Sequence, residues 1–222
     1  MADKKEEQII DITQTYSRFE HWLNKNKMWL SYLVGGITIV ILGYVGFTKF
    51  YLGPKETDAQ NEMWKAQDYF ASDSLNLALN GDKTHPGFLK IIDDYKWTKA
   101  ANLAQVYCGM IYMKQGKFDE AIEHLEKFNG KDVLVSGEAF CLLGDAYSEK
   151  GENDKAIENY KKAAYNHENE LTSAMYLKKA GMLSEKTGKN ADAVKFYQEI
   201  KEKYPTSAEA RDIDKFIARA QG

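Results

Sequence analysis

The segment LLGDAYSEKGENDKAIENYKKAA, residues 142–164, contains two helical patterns hinged on a single glycine. Apolar and small residues recur at helical spacing on both sides of Gly151. A glycine there can take the positive φ that closes one helix and starts the next. Two further segments align with it: YCGMIYMKQGKFDEAIEHLEKF at 107–128 and KAGMLSEKTGKNADAVKFYQEI at 179–200. Each has a first-helix glycine, a turn glycine seven residues later and an alanine five beyond that. The triplets are Gly109, Gly116, Ala121; Gly144, Gly151, Ala156; and Gly181, Gly188, Ala193. The repeat length is 35 and then 37 residues. Self-similarity at such a period predicts helix pairs that bury their faces by stacking into a solenoid. The first-helix glycine and second-helix alanine are expected where the antiparallel helices cross. Tyr112, Tyr147, Leu125, Tyr160 and Tyr197 would fill the space between layers.

These residues resemble the tetratricopeptide repeat. The second repeat carries the pattern in Leu143, Gly144, Tyr147, Ala156, Tyr160 and Ala163. The first has Phe128 for the late alanine. The third has Ser184 for the tyrosine and Ile200 for the late alanine, but Pro205 stands where the family's proline belongs. The resemblance covers residues 100–205 and implies three repeats in an all-α fold. Residues 206–222 read as a capping helix, with Thr206 or Ser207 as N-cap and a stripe of Ala210, Ile213, Ile217 and Ala220. Residues 50–99 read as a linker and a degenerate starting repeat: two longer helices around NGDKTHPG (80–87), the first striped by Met63, Ala66, Phe70 and Leu77.

A different pattern precedes the repeats. MWLSYLVGGITIVILGYVGFTKF, residues 28–50, has no charge before Lys49. Its uncharged part is long enough to cross a hydrocarbon core of about 30 Å as a helix. A cleaved export signal would have a short charged start and a small-residue cleavage site. Here a polar stretch of 27 residues precedes the run, and bulky Phe47, Phe50 and Tyr51 follow it. The expectation is an uncleaved transmembrane signal anchor over 28–49. Trp22, Trp29 and Tyr32 at one end, and Tyr44, Phe47, Phe50 and Tyr51 at the other, match interfacial aromatic belts. Arg18, Lys25 and Lys27 against Lys49 and Lys55 favour an inside amino terminus. The small residues Ser31, Gly35, Gly36, Gly43 and Gly46 would let a second membrane helix approach. Residues 1–27 read as a cytoplasmic amphipathic tail, with Ile9, Ile12, Tyr16, Phe19 and Leu23 on one face.

Composition narrows the function classes. A net charge of −3 without a basic cluster argues against nucleic acid as a main partner. His21, His85, His124 and His167 are scattered, and no metal-ligand spacing, phosphate-binding loop or nucleophile motif occurs. No catalytic residue, cofactor site or metal site is expected. Cys108 and Cys141 fall on apolar helix faces, where a thiol acts as a small hydrophobe; a bond between them stays open.

Binding through the face lined by the first helices is the expected activity. The tetratricopeptide resemblance places Leu103, Val106, Met110 and Met113 there, then Glu138, Cys141, Asp145 and Ser148, then Met175, Lys178, Met182 and Glu185. Only Lys178 matches the carboxylate clamp of the chaperone-binding subclass. The starting helix could also fold over the methionines and close this groove.

GFLKIIDDYKWTKAANLAQVYCGMIYMKQGKFDEAI and FCLLGDAYSEKGENDKAIENYKKAA, together with the anchor, resemble YfgM-like ancillary subunits of the bacterial SecYEG translocon. That resemblance implies an inner-membrane protein with a periplasmic repeat domain, a PpiD-like chaperone partner and contact with unfolded secretory chains leaving the channel. Two alternatives stay open. One is a periplasmic scaffold for envelope assembly, cell division or another secretion system, with the span as a passive tether. The other reverses the topology and makes the repeats cytoplasmic.

Overall fold

The structure, a computed structural model, describes residues 12–130 and 132–222. The chain forms two compact units, residues 1–54 and 55–222.

In the first unit, α1 (Ile12–Gly46) leads into a π-helical stretch, Phe47–Leu52. By length and composition its apolar part qualifies as a membrane span, and none of that 18-residue window is buried. The hydroxyls of Ser31 and Thr38 donate to the carbonyls of Lys27 and Val34, each at 2.8 Å. The helix thus satisfies these polar groups internally, as an apolar surrounding requires. The expected tail is not a separate element, since residues 12–27 are the opening turns of α1. Ile9 lies outside the described residues. At about 100° per residue, Ser31, Gly35, Gly46, Gly43 and Gly36 fall in that order within an arc of about 140°. Among the described residues, nothing beyond the helix's own adjoining backbone comes within 4 Å of a methyl built on Gly35, Gly36, Gly43 or Gly46.

The second unit is an array of helix pairs. Its helices are α2 (Gly53–Ala71, within this unit from Lys55), α3 (Leu75–Asn80), α4 (Phe88–Asp94), α5 (Lys99–Lys114), α6 (Phe118–Lys127) and α7 (Val133–Glu149). They continue with α8 (Asn153–Asn166), α9 (Ser173–Lys186), α10 (Asn190–Lys203) and α11 (Ile213–Gln221). The three pairs α5/α6, α7/α8 and α9/α10 turn on Gly116, Gly151 and Gly188, with φ of 69°, 76° and 76°. In each turn the residue after the glycine donates its N–H five residues back: Lys117 to Tyr112, Glu152 to Tyr147, and Lys189 to Ser184. Each glycine donates to Met113, Ser148 or Glu185 in turn. This double closure is the Schellman motif, which requires a left-handed residue at that point.

The helix crossing differs from the expected glycine–alanine contact. A methyl built on Gly109, Gly144 or Gly181 would come under 3.0 Å from Leu125, Tyr160 or Tyr197, respectively. The glycine therefore admits a large residue from the second helix. Ala121, Ala156 and Ala193 are fully buried one turn earlier.

Both of the long helices expected in residues 50–99 are broken. The first breaks at Asp73 (φ 55°), separating α2 from α3; the second breaks at Trp97 (φ 68°), separating α4 from α5. Met63 and Ala66 stay buried, whereas Leu77 is exposed and Ala78 and Leu79 take its place. Helix α2 runs parallel to α5. Glu56 accepts from the Lys99 amide at 2.5 Å, the Gln67 amide donates to Tyr107 Oη at 3.3 Å, and Lys114 pairs with Asp73 at 2.9 Å. Helix α5 is the shared wall of two cores. Ala100, Ala104, Cys108 and Ile111 face the starting repeat, and Val106 joins the larger core that runs to Ala220.

The cap is shorter than expected. Ser207 Oγ accepts from the Ala210 amide at 3.2 Å, making it the cap of the turn. A 3-10 turn over Glu209–Asp212 then precedes α11, which packs through Ile213, Phe216, Ile217 and Ala220.

Gly144→Ala should destabilise by about 1–3 kcal/mol, because the Tyr160 ring cannot retreat from the added methyl. Gly151→Ala should cost about 1–2 kcal/mol through its left-handed backbone alone. By contrast, Ser184 Oγ is buried with no hydrogen-bond partner. Ser184→Ala should be neutral or stabilising, since it removes an unpaired polar group. Denaturant unfolding of the three variants checks all of these together.

Candidate protein-binding groove

Two hollows on the array take part of their lining from its first helices, and they differ in chemistry. The first, about 370 Å³, lies between α2, α5 and α7 and is lined by Phe70, Leu103, Val106, Tyr107, Met110, Leu134, Val135 and Glu138. Leu134 is 56% exposed there, a large apolar side chain held at the start of α7. Asp132 holds that start in place, accepting from the amides of Leu134 and Val135 at 3.0 and 2.9 Å.

The second hollow, about 510 Å³, lies towards the cap and is lined by Ser148, Tyr160, Lys179, Met182, Leu183, Glu185, Lys186 and Arg219. Its floor is a polar network. Tyr160 Oη donates to Asp145 at 2.7 Å, and Lys179 Nζ donates to both Asp145 oxygens at 2.8 Å and to Cys141 Sγ at 3.3 Å. Burial is the largest influence on Lys179 and opposes its charge, but Asp145 and Cys141 together outweigh it and the lysine pKa is raised. Burial pushes the Tyr160 phenol up, and its bond to Asp145 adds to that. At the rim Arg219 Nη2 donates to Glu185 at 2.8 Å, and Tyr197 Oη donates to the same carboxylate at 3.1 Å.

Leu103, Val106 and Met110 line the first hollow and Met182 the second, although Val106 is largely buried. Met113 and Met175 do not line either hollow; they pack against the larger core. Lys178 is also corrected. Its Nζ sits 4.5 Å from the centroid of the Phe216 ring and 3.4 Å from Asp212, so it serves the cap. The lining lysine is its neighbour Lys179. Helix α2 does not fold over the methionines; it joins the array as a further first helix and adds Phe70 to the wall. Sequence reasoning missed Phe70, Leu134 and Lys179. The signal for Leu134 was its place two residues after the capping Asp132.

No group of three or more His, Cys, Asp or Glu side chains is arranged to hold a metal among the described residues. Cys108 and Cys141 are both free and buried. Burial pushes each thiol up to about 12.

Two family models, each described as a tetratricopeptide repeat, match the chain: one at residues 109–128 and 137–166, the other at 176–207. No curated protein matches it in sequence. Among solved structures it is similar to a tetratricopeptide repeat protein from Parabacteroides merdae ATCC 43184, with a TM-score of 0.59 and 18% identity. That match covers 75% of this chain and 61% of the other, so the chain spans about three fifths of that relative's length. It is also similar to a putative kinesin light chain from Podosopora anserina with nearly identical TPR-like repeats. There the TM-score is 0.54, the identity 14%, and the match covers 74% of this chain and 86% of the other. The chain carries tetratricopeptide repeats and has the all-α solenoid fold they build. Such arrays are protein-interaction scaffolds and typically non-catalytic.

At pH 8 a thiol titrating near 12 is thiolate in only roughly one molecule in ten thousand. Iodoacetamide should therefore leave Cys108 and Cys141 unmodified in the folded protein and alkylate both after denaturation, as read by mass spectrometry.

Proposed function

We propose that this protein is a membrane-anchored, non-enzymatic scaffold of the bacterial inner membrane, working beside the SecYEG translocon. The amino terminus is cytoplasmic, the apolar part of α1 spans the bilayer, and the repeat array lies in the periplasm. There it holds a PpiD-like chaperone and assists unfolded secretory chains as they leave the channel. The reading is supported by the whole-chain resemblance to YfgM-like subunits and by the pairing of an exposed apolar helix with tetratricopeptide repeats. The observation that carries it is the apolar hollow at Phe70, Leu103, Met110 and Leu134. It suits an apolar segment of a protein partner rather than a small polar ligand. The small residues of α1 offer a surface for channel helices.

Affinity purification of the tagged full chain from mild detergent should recover both SecY and the chaperone. Leu134→Glu, on an exposed position, should cut chaperone recovery roughly tenfold by placing a charge in a desolvated contact. SecY recovery should stay unchanged in that variant. Exchanging residues 28–49 for an unrelated span should lose SecY and keep the chaperone. Reproducible absence of both partners from the native protein overturns the reading.

A further inference from the structure

The hollow between α2, α5 and α7 is apolar except at one point: of the residues that line it, Glu138 alone carries a charge. Glu138 is half-buried on α7, four residues after the exposed Leu134. Residues at that spacing lie side by side on one helix face. Whatever covers the Leu134 side chain therefore also closes over the carboxylate.

Among the described residues no cation pairs with Glu138. On α2, Lys65 pairs with Asp68 at 2.7 Å, and Lys55 Nζ donates to the Asp94 carbonyl. On α5, Lys114 Nζ sits 5.2 Å from the centroid of the Phe70 ring but pairs with Asp73 at 2.9 Å. On α9, Lys179 pairs with Asp145 at 2.8 Å, and Lys178 lies 3.4 Å from Asp212. Lys99 and Lys186 have no carboxylate partner, but each lines a different hollow. The Tyr176 phenol of α9 has its pKa raised by burial first and by the Glu138 charge second, so it stays neutral near the carboxylate. The protein thus supplies Glu138 with no counter-charge, and solvent at the half-open hollow stabilises it. An apolar segment laid over Leu134 and Met110 takes that solvent away. Covering a bare charge is strongly unfavourable unless an opposite charge arrives with the cover.

We propose that the occupant of this hollow is an apolar protein segment that carries a lysine or arginine, whose cation meets Glu138 while neighbouring residues cover Leu134, Met110 and Phe70. It rests on the reading of the hollow as a partner-binding site, and on no particular partner. The long aliphatic stem of either residue lies along the apolar lining while its head reaches the carboxylate. Apolar contact supplies affinity, and Glu138 supplies the choice. A neutral residue at that place leaves the carboxylate bare, and an acidic one sets two like charges together.

The test selects a random peptide library displayed on phage against the full chain in detergent micelles, with Leu134→Glu protein as the counter-selection. The expected result is a set of Leu134-dependent peptides in which a lysine or arginine stands at a fixed spacing among large apolar residues. Replacing that residue by norleucine should weaken binding to the native chain roughly tenfold and leave binding to E138Q nearly unchanged. Selection on E138K should enrich aspartate or glutamate at the same place. Leu134-dependent peptides without a basic residue overturn the proposal and leave the hollow as a binding site. An equal loss on the native chain and on E138Q overturns it too, since the cation then acts elsewhere. If no peptide depends on Leu134, the reading of the hollow itself fails and takes this proposal with it. Should either Glu138 variant misfold, the norleucine exchange on the native chain decides: a tenfold loss supports the pairing, and no loss overturns it.

Discussion

The contact between a large second-helix residue and a first-helix glycine sets the geometry of the array. Tyr160 lies against Gly144 where any side chain would force the helices apart, and Leu125 and Tyr197 repeat the contact against Gly109 and Gly181. The approach fixes how close the helices of a pair sit, and the Schellman turn fixes where the second one starts. The inter-repeat contacts build on it. Because Tyr160 passes under α7, its hydroxyl reaches Asp145, and that carboxylate collects Lys179 from the next first helix. One apolar fit inside a pair thereby positions a polar bond between pairs.

The binding face takes its character from departures within this common frame. At equivalent positions the first repeat has Leu103, Val106 and Met110, while the second has Glu138, Cys141 and Asp145. Glu138 nonetheless lines the apolar hollow beside Leu103, Val106 and Met110, and the charge of the second hollow comes from Lys179, Glu185, Lys186 and Arg219.

The three helix pairs and their turn glycines were legible in the sequence, because each is enforced by a requirement repeated three times; Leu125, Tyr160 and Tyr197 were expected between layers and pack instead inside a pair, against Gly109, Gly144 and Gly181. Once-only features were not. The breaks at Asp73 and Trp97 were hidden, since neither is a glycine and the surrounding periodicity runs through both positions. Lys178 and Lys179 are adjacent in sequence; which of them faces the groove depends on Phe216 and Asp212 attracting Lys178 towards the cap. Leu103, Met110 and Met182, singled out from the repeat positions, line the two hollows. Phe70 and Leu134 emerged only once α2 was placed beside α5 and Asp132 had fixed the start of α7.

The position of α5 between two cores has a mechanical consequence. A pull transmitted through the residues before Lys55 enters the fold at the amino end of α2. It meets the bonds of Lys55 to Asp94 and Glu56 to Lys99 one after another, before it reaches Gln67 and Tyr107. Bonds loaded in series peel at low force. The starting repeat would yield first, while the larger core, joined to it through the opposite side of α5, keeps its pairs closed. The array thus carries its own shock absorber at the end where tension arrives.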